Sequence, residues 1–304
     1  MDINLVNNKD SYSILFNAMA SPCEVIVQTG DEQLALHIAN AVTAEVRRIE
    51  NKYSRYNINS LCWAINNSAG QSIPIDEETF QLFNFADQCF QLSEGLFDIT
   101  SGVLNKVWTF NRKRTLNENL PTQKEIDAVL AFVGWKKVNF DHNQVTLPKG
   151  MAIDFGGIGK EYAVDRSIII IKELTRIPAL VNLGGDIAVT SARLNNKAWQ
   201  VAVEPPAINK QHSQEGIVDM VVSLKSGALA TSGDSKRFIE IAGHRYGHIL
   251  NANTGWPIVN APRSITVAAP QCIQAGILST MALLQGINAE KFLEDQQIKF
   301  WARK

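Results

Sequence analysis

The sequence predicts an α+β fold with mostly antiparallel pairing, and three observations carry that reading. Helix-like segments with apolar residues three and four apart dominate the first half. The second half is a succession of strand-like segments. Several of these meet with no helix between them, whereas a doubly wound parallel sheet needs a crossover helix at each step. At 304 residues one or two domains are possible, and with no internal repeat the residues alone leave the split open.

The elements follow in order. A strand over residues 23–27 precedes a helix over residues 31–53, where Leu34, Ile38, Val42, Val46, Ile49 and Tyr53 line one face. A second helix starts at Asp76, with Glu77 and Glu78 in its first turn, and stops near Gly95. A third has Thr122 as N-cap, Glu125 completing a capping box and Gly134 as the stop. Strands are expected at 179–190, 199–203, 218–224, 238–241 and 264–268, with helices near 160–176 and 273–285. Residues 111–121 and 205–217 are polar loops.

Composition excludes more than it assigns. A net charge of −1 gives no whole-chain signal for nucleic acid or an anionic membrane, and Arg112-Lys113-Arg114 reads as a solvated loop. Cys23, Cys62, Cys89 and Cys272 form no CxxC pair, so packed, reduced thiols are expected rather than a zinc ribbon or redox motif. The N-terminal MDINLVNNKDSYS has no apolar signal core. No apolar run approaches the roughly 20 residues of a membrane span. A cytoplasmic protein is the expectation.

Several short stretches are candidates for chemistry. MAIDFGGIGKEYAVD (151–165) reads as a strand running through a glycine turn into a helix, with Asp154 expected to be buried and Lys160 at the helix start. Such a turn can present amides to a phosphate, yet both common nucleotide motifs fail here. Glu161 stands where a P-loop needs Ser or Thr, and Tyr162 where a dinucleotide fingerprint needs glycine. Alone, the stretch is a structural turn. VNLGGDIAV (181–189) is a tight connection with Asp186 at the bend. ATSGDSKRF (230–238) places Thr231 and Ser232 beside Lys236 and Arg237, which suits a phosphate and equally an ordinary turn.

GHRYGHILNANTG (243–255) carries His244 and His248 on a strand-like segment. Zinc would need a third ligand, so a single functional histidine, His248 beside the Asn-Thr-Gly turn, is preferred. In SEGLFDITSG (93–102), Asp98 either caps the next segment or holds a ligand's polar edge, with Phe97 against an aromatic face. YSRYN (53–57) offers Tyr53 and Tyr56 as stacking surfaces or core.

Together with FNAMASP and AGILSTMALLQG, these stretches resemble, in order, the ApbE family of FAD:protein FMN transferases, from about Phe16 to Gly286. The resemblance implies a single α+β domain over residues 1–304, built as two lobes with FAD in the cleft between them. It also implies Mg²⁺-dependent cleavage of FAD, with FMN passed to Thr or Ser of an acceptor flavoprotein and AMP released. It assigns Met19, Tyr56, Leu96, Phe97 and Asp98 to the flavin or adenine, and Gly156, Lys160 and Tyr162 to the nucleotide. Thr231, Ser232 and Leu250 join the cofactor contacts, and His248, Asp154 and Thr254 are the catalytic candidates. Metal ligands would be the Gly159 carbonyl, Ser279 and Thr280.

The chain departs from the family's pattern in three places. Gly276 replaces the aspartate of the A-D-x-x-[ST]-T run, Asn251 replaces that of H-x-x-D-P-x-T-G, and the turn reads GIGKE where GIAKG is usual. These losses imply a weakened or relocated metal site, and Gly276→Asp tests it: a sharp rise in Mg²⁺-dependent turnover would show that the missing ligand limits activity. Glu161 and Asp154 are possible compensating carboxylates, neither placed by the sequence. The alternatives are an FAD-binding protein with lost metal-dependent activity, and an FAD pyrophosphatase yielding FMN and AMP.

Overall fold

The structure, a computed structural model, describes residues 3–110, 120–203, 220–234, 237–241 and 244–304. The run Arg112-Lys113-Arg114, Lys236 and nearly all of the two predicted polar loops lie outside these residues.

Strands β1 (Asn4–Asn7), β2 (Tyr12–Ala18) and β3 (Ser21–Val27) open the chain as antiparallel neighbours. Helix α1 (Glu32–Tyr53) follows as predicted, with Asp31 accepting from the N–H groups of Gln33 and Leu34. The short α2 (Leu61–Asn66) and β4 (Ser72–Pro74) lead to α3 (Glu77–Leu92), capped by Asp76. In α4 (Gln123–Leu130) both hydrogen bonds of the Thr122–Glu125 capping box are present. Strands β5 (Asn139–Phe140) and β6 (Gln144–Thr146) pair with β4 in a small sheet.

Helix α5 (Gly159–Leu174) enters the second half. The tight connection expected within VNLGGDIAV is a hairpin, β7 (Ala179–Leu183) and β8 (Asp186–Val189), whose turn Gly184 and Gly185 make with positive φ of 65° and 105°. Then come β9 (Trp199–Val203), β10 (Met220–Leu224), β11 (Gly227–Gly233), β12 (Phe238–Ile241), β13 (His244–Gly247) and β14 (Ser264–Ala269). The chain ends with α6 (Cys272–Leu284), α7 (Ala289–Asp295) and β15 (Lys299–Arg303).

Among the described residues the main sheet has the order β1-β2-β3-β7-β8-β11-β14-β15, every pair antiparallel. The period of two along each strand splits its side chains between two cores. Val181, Ala188 and Ala230 face α1, α5 and α6, whereas Leu180, Ile187 and Leu229 pack with Trp199 and Val201 of the separate β9–β10 pair. A third cluster joins Leu104, Trp108 and Ile126 to Ile239. All four cysteines are free and buried, as packed thiols. Among the described residues no helix is long and apolar enough to cross a membrane.

Candidate functional site

The glycine turn ahead of α5 is held from both sides. Asp154 Oδ1 accepts the Gly156 N–H at 2.8 Å, and Oδ2 lies 3.4 Å from Arg55 Nε. Asp154 is therefore a half-buried turn cap, not the buried carboxylate expected, because its neighbours Ile153 and Phe155 take the inward positions. Arg55 in turn lies over the exposed ring of Tyr56, 4.6 Å from its centroid. Phe97 is buried, its ring 3.4 Å from where a Cβ on Gly157 would stand, and Leu96 beside it is half-buried. Asp98 uses both oxygens internally: Oδ1 accepts from Thr100 N at 2.7 Å and Oδ2 from Trp135 N at 2.9 Å. Of the two readings of Asp98, the cap is the one these bonds describe. It starts a 3-10 segment over Ile99–Lys106.

Lys160, in the first turn of α5, reaches the tip of the β7–β8 hairpin and forms an ion pair with Asp186 Oδ2. Burial alone would lower the Lys160 ammonium, but Asp186 and Glu161 outweigh it and hold it above its ordinary value. A Cβ on Gly184 would stand 2.6 Å from Ser21 Cβ, so this tip packs on that of the β2–β3 hairpin. There Met19 and Ala20 both adopt left-handed backbone (φ 51° and 55°), with the Met19 N–H donating to Glu50 Oε1 at 2.6 Å. Two non-glycine residues held in that region are a local strain of the kind found at ligand-contacting turns.

Glu161, the next residue along α5, was not placed by the sequence. It is 8% exposed, and its Oε2 has no hydrogen-bond partner among the described residues. Burial, reinforced by Asp186, pushes its carboxyl well above the usual range. It faces Gly276 of α6. A Cβ at that glycine would stand 2.5 Å from Glu161 Cγ and 2.8 Å from Oε1. One turn further along α5, Asp165 accepts the N–H groups of Cys272 and Ile273 at 2.8 and 2.9 Å, capping α6 from the neighbouring helix. Tyr162 goes elsewhere: its hydroxyl donates to Glu78 of α3 at 2.8 Å, within a network containing Arg48 and Lys52.

On α6, Ser279 Oγ donates to the Gly276 carbonyl at 2.9 Å. Ser232 of β11 lies within hydrogen-bond distance of both Ser279 Oγ (2.8 Å) and Thr280 Oγ1 (2.7 Å). The structure thus gathers Ser232, Ser279 and Thr280, together with Gly276 and Glu161. Thr231 points to the other face of β11, as alternation requires, and pairs with Thr266 at 2.8 Å.

The 244–255 segment holds the remaining candidates. His244 is exposed on β13, and His248 lies past the end of the strand. Its Nδ1 is 3.2 Å from the Arg237 carbonyl, an acceptor alone, so Nδ1 carries the proton and Nε2 keeps a lone pair. Burial, with Arg237 nearby, lowers His248 to about 4, which keeps the ring neutral. Asn251 Oδ1 accepts the N–H groups of Asn253 and Thr254, and Thr254 Oγ1 accepts that of Trp256 at 3.3 Å. Leu250 bridges to Pro257 and closes the turn. Among the described residues no three His, Cys, Asp or Glu side chains gather as metal ligands.

The sequence named Glu161 as a possible compensating carboxylate without placing it in the Gly276 notch, and it gave no hint of Asp165 as the cap of α6. A signal existed for the first, since the turn reads GIGKE where glycine is usual after the lysine.

This combination of an antiparallel α+β sheet, a glycine turn feeding a helix, and a second helix bearing Ser-Thr belongs to a known class. The chain is a member of the ApbE family, whose profile matches residues 19–301. It is 28% identical over 252 residues to the FAD:protein FMN transferase of Haemophilus influenzae, covering 81% of this chain and 71% of that one. The FAD:protein FMN transferase of Klebsiella pneumoniae is 26% identical, with 94% and 84% covered. The crystal structure of the ApbE protein of Thermotoga maritima superposes with a TM-score of 0.85 at 30% identity, covering 96% and 94%.

Proposed function

We propose that this chain is an FAD:protein FMN transferase that uses Mg²⁺, passes FMN to a Thr or Ser of an acceptor flavoprotein and releases AMP. The family match across residues 19–301, with relatives of that name, carries the reading. The expected cytoplasmic setting belongs to the same proposal.

In this reading the pyrophosphate of FAD lies along the glycine turn, near Gly156 and Lys160, with His248 and Thr254 on the facing wall. The flavin or adenine lies against Tyr56, Leu96 and Phe97, beside Met19, Asp98, Tyr162 and Leu250. Thr231 and Ser232 complete the cofactor contacts. The acceptor hydroxyl oxygen forms a bond to the phosphorus on the flavin side. The anhydride bond to AMP breaks, and AMP departs with its electron pair. His248 Nε2, with its free lone pair, takes the hydroxyl proton. Asp154 acts by holding the turn. Lys160, kept cationic by Asp186, stabilises charge on the phosphates.

The donors expected for Mg²⁺, the Gly159 carbonyl and the Ser279 and Thr280 hydroxyls, are all oxygens and suit a hard cation. Glu161 Oε2, without a hydrogen-bond partner among the described residues, lies by the same stretch of α6, which also fits a cation there. Bound Mg²⁺ would supply neutralisation of charge at the cleaved anhydride.

Incubation with FAD, Mg²⁺ and a threonine-bearing acceptor peptide is expected to yield AMP and a flavinylated peptide in equal amounts by mass spectrometry. Neither product across a wide Mg²⁺ range would overturn the proposal. Gly276 favours a second reading, an FAD-binding protein without turnover, for which FAD co-purifies intact and persists with Mg²⁺. Free FMN without a flavinylated peptide would instead identify the pyrophosphatase.

A further inference from the structure

We propose that Glu161 supplies the carboxylate of a divalent-cation site at the α5–α6 contact, reaching across from α5 into the space that Gly276 leaves open on α6. The inference rests on the proposed transferase reading and deepens it.

Three observations converge. The first is occupancy: a side chain starting at residue 276 would run into Glu161 Cγ and Oε1 within 2.5 to 2.8 Å. The two positions therefore share one volume, and the carboxylate of Glu161 fills it. The second is the orphaned oxygen. Glu161 is 8% exposed, and its Oε2 lacks a hydrogen-bond partner among the described residues. The adjacent cation, Lys160, is already engaged by Asp186. A buried carboxylate oxygen left so is costly unless something of opposite charge comes to it.

The third is the company it keeps. Ser279 and Thr280 follow Gly276 by three and four residues and so share its side of α6. The Ser279 hydroxyl sits 2.9 Å from the Gly276 carbonyl, and Ser232 joins both hydroxyls from β11. One carboxylate, neutral oxygens and a pyrophosphate from the substrate are the donor set that Mg²⁺ accepts. A merely structural acid would wedge the two helices apart in the same place, so binding itself must be measured.

Mn²⁺ binding to the full chain, read by loss of the free-ion EPR signal with and without FAD, separates the two roles. Wild type is expected to bind Mn²⁺ in FAD's presence, and Glu161→Gln to bind at least about tenfold more weakly. The reciprocal variant Glu161→Gly/Gly276→Asp is expected to recover binding to within about threefold, because it returns the carboxylate to the same volume from α6. Wild-type affinity in Glu161→Gln, or no Mn²⁺ binding by wild type, would overturn the inference. Quenching of FAD fluorescence distinguishes its failure from that of the parent reading. FAD that binds tightly while Mn²⁺ ignores Glu161 removes the inference alone, whereas wild type that binds no FAD removes the transferase reading itself.

Discussion

The turn over residues 248–255 and the contact between α5 and α6 each lack an aspartate that the resemblance led us to expect, and they meet that lack differently. At the turn the replacement is Asn251, whose Oδ1 accepts two backbone N–H groups. An amide oxygen does this as well as a carboxylate, so the geometry survives inside one residue. Gly276 retains no side-chain oxygen, and what fills the gap comes from Glu161 on the neighbouring helix. A departure from a motif is therefore read correctly only together with whatever packs against it.

The largest effect is expected from Gly276→Asp alone. The new Cβ falls 2.5 Å from Glu161 Cγ, and a second carboxylate enters a buried space. A loss of about 3 kcal/mol is expected in chemical denaturation, largely recovered when Glu161→Gly is added. The same change that the sequence offers as a test of the missing ligand is therefore expected to damage the site. Next in size is Asp165→Ala, which removes the acceptor of two N–H groups at the start of α6. It should cost about 1–2 kcal/mol, with Asp165→Asn losing less.

At the turn the effects should be smaller. Asn251→Ala is expected to cost about 1 kcal/mol, whereas Asn251→Asp stays within about 0.5 kcal/mol of wild type. An equal loss in the two variants would show that charge or size matters there and not the acceptor. The smallest effect concerns pH. Since His248 in the folded chain is lowered to about 4, the unfolded chain binds a proton first as pH falls from about 6.5. Stability should therefore rise with pH across that window, and His248→Gln should flatten that part of the profile. NMR titration of the His248 ring should give a midpoint near 4.

Much of the fold was legible because its signals are local. The spacing from Leu34 to Tyr53 gave α1, and Thr122 with Glu125 gave the start of α4. Strands β1, β2, β4, β5, β6, β11 and β15 were missed: β1 and β15 lie at the sheet's two edges, where half-buried residues leave weak alternation. Thr231, Ser232 and Gly233, which read as an ordinary turn, are the end of β11, held by pairing with the distant β14. The sheet order depends on pairings between segments far apart in the chain, such as β3 with β7. The site divided in the same way. The cap at Asp98 follows from a short turn, whereas Asp154, expected to be buried, caps its turn from a half-buried position, and Glu161 and Gly276 meet through the packing of two helices. No periodicity within either helix reveals that meeting.

The most direct test of Glu161 as the carboxylate of this site is an anomalous difference map from crystals of wild type grown with FAD and Mn²⁺. The account predicts a peak within about 2.2 Å of a Glu161 carboxylate oxygen, on the side of α6 that bears Ser279 and Thr280. A peak held entirely by other residues, with Glu161 still packed against Gly276 and unligated, would contradict it.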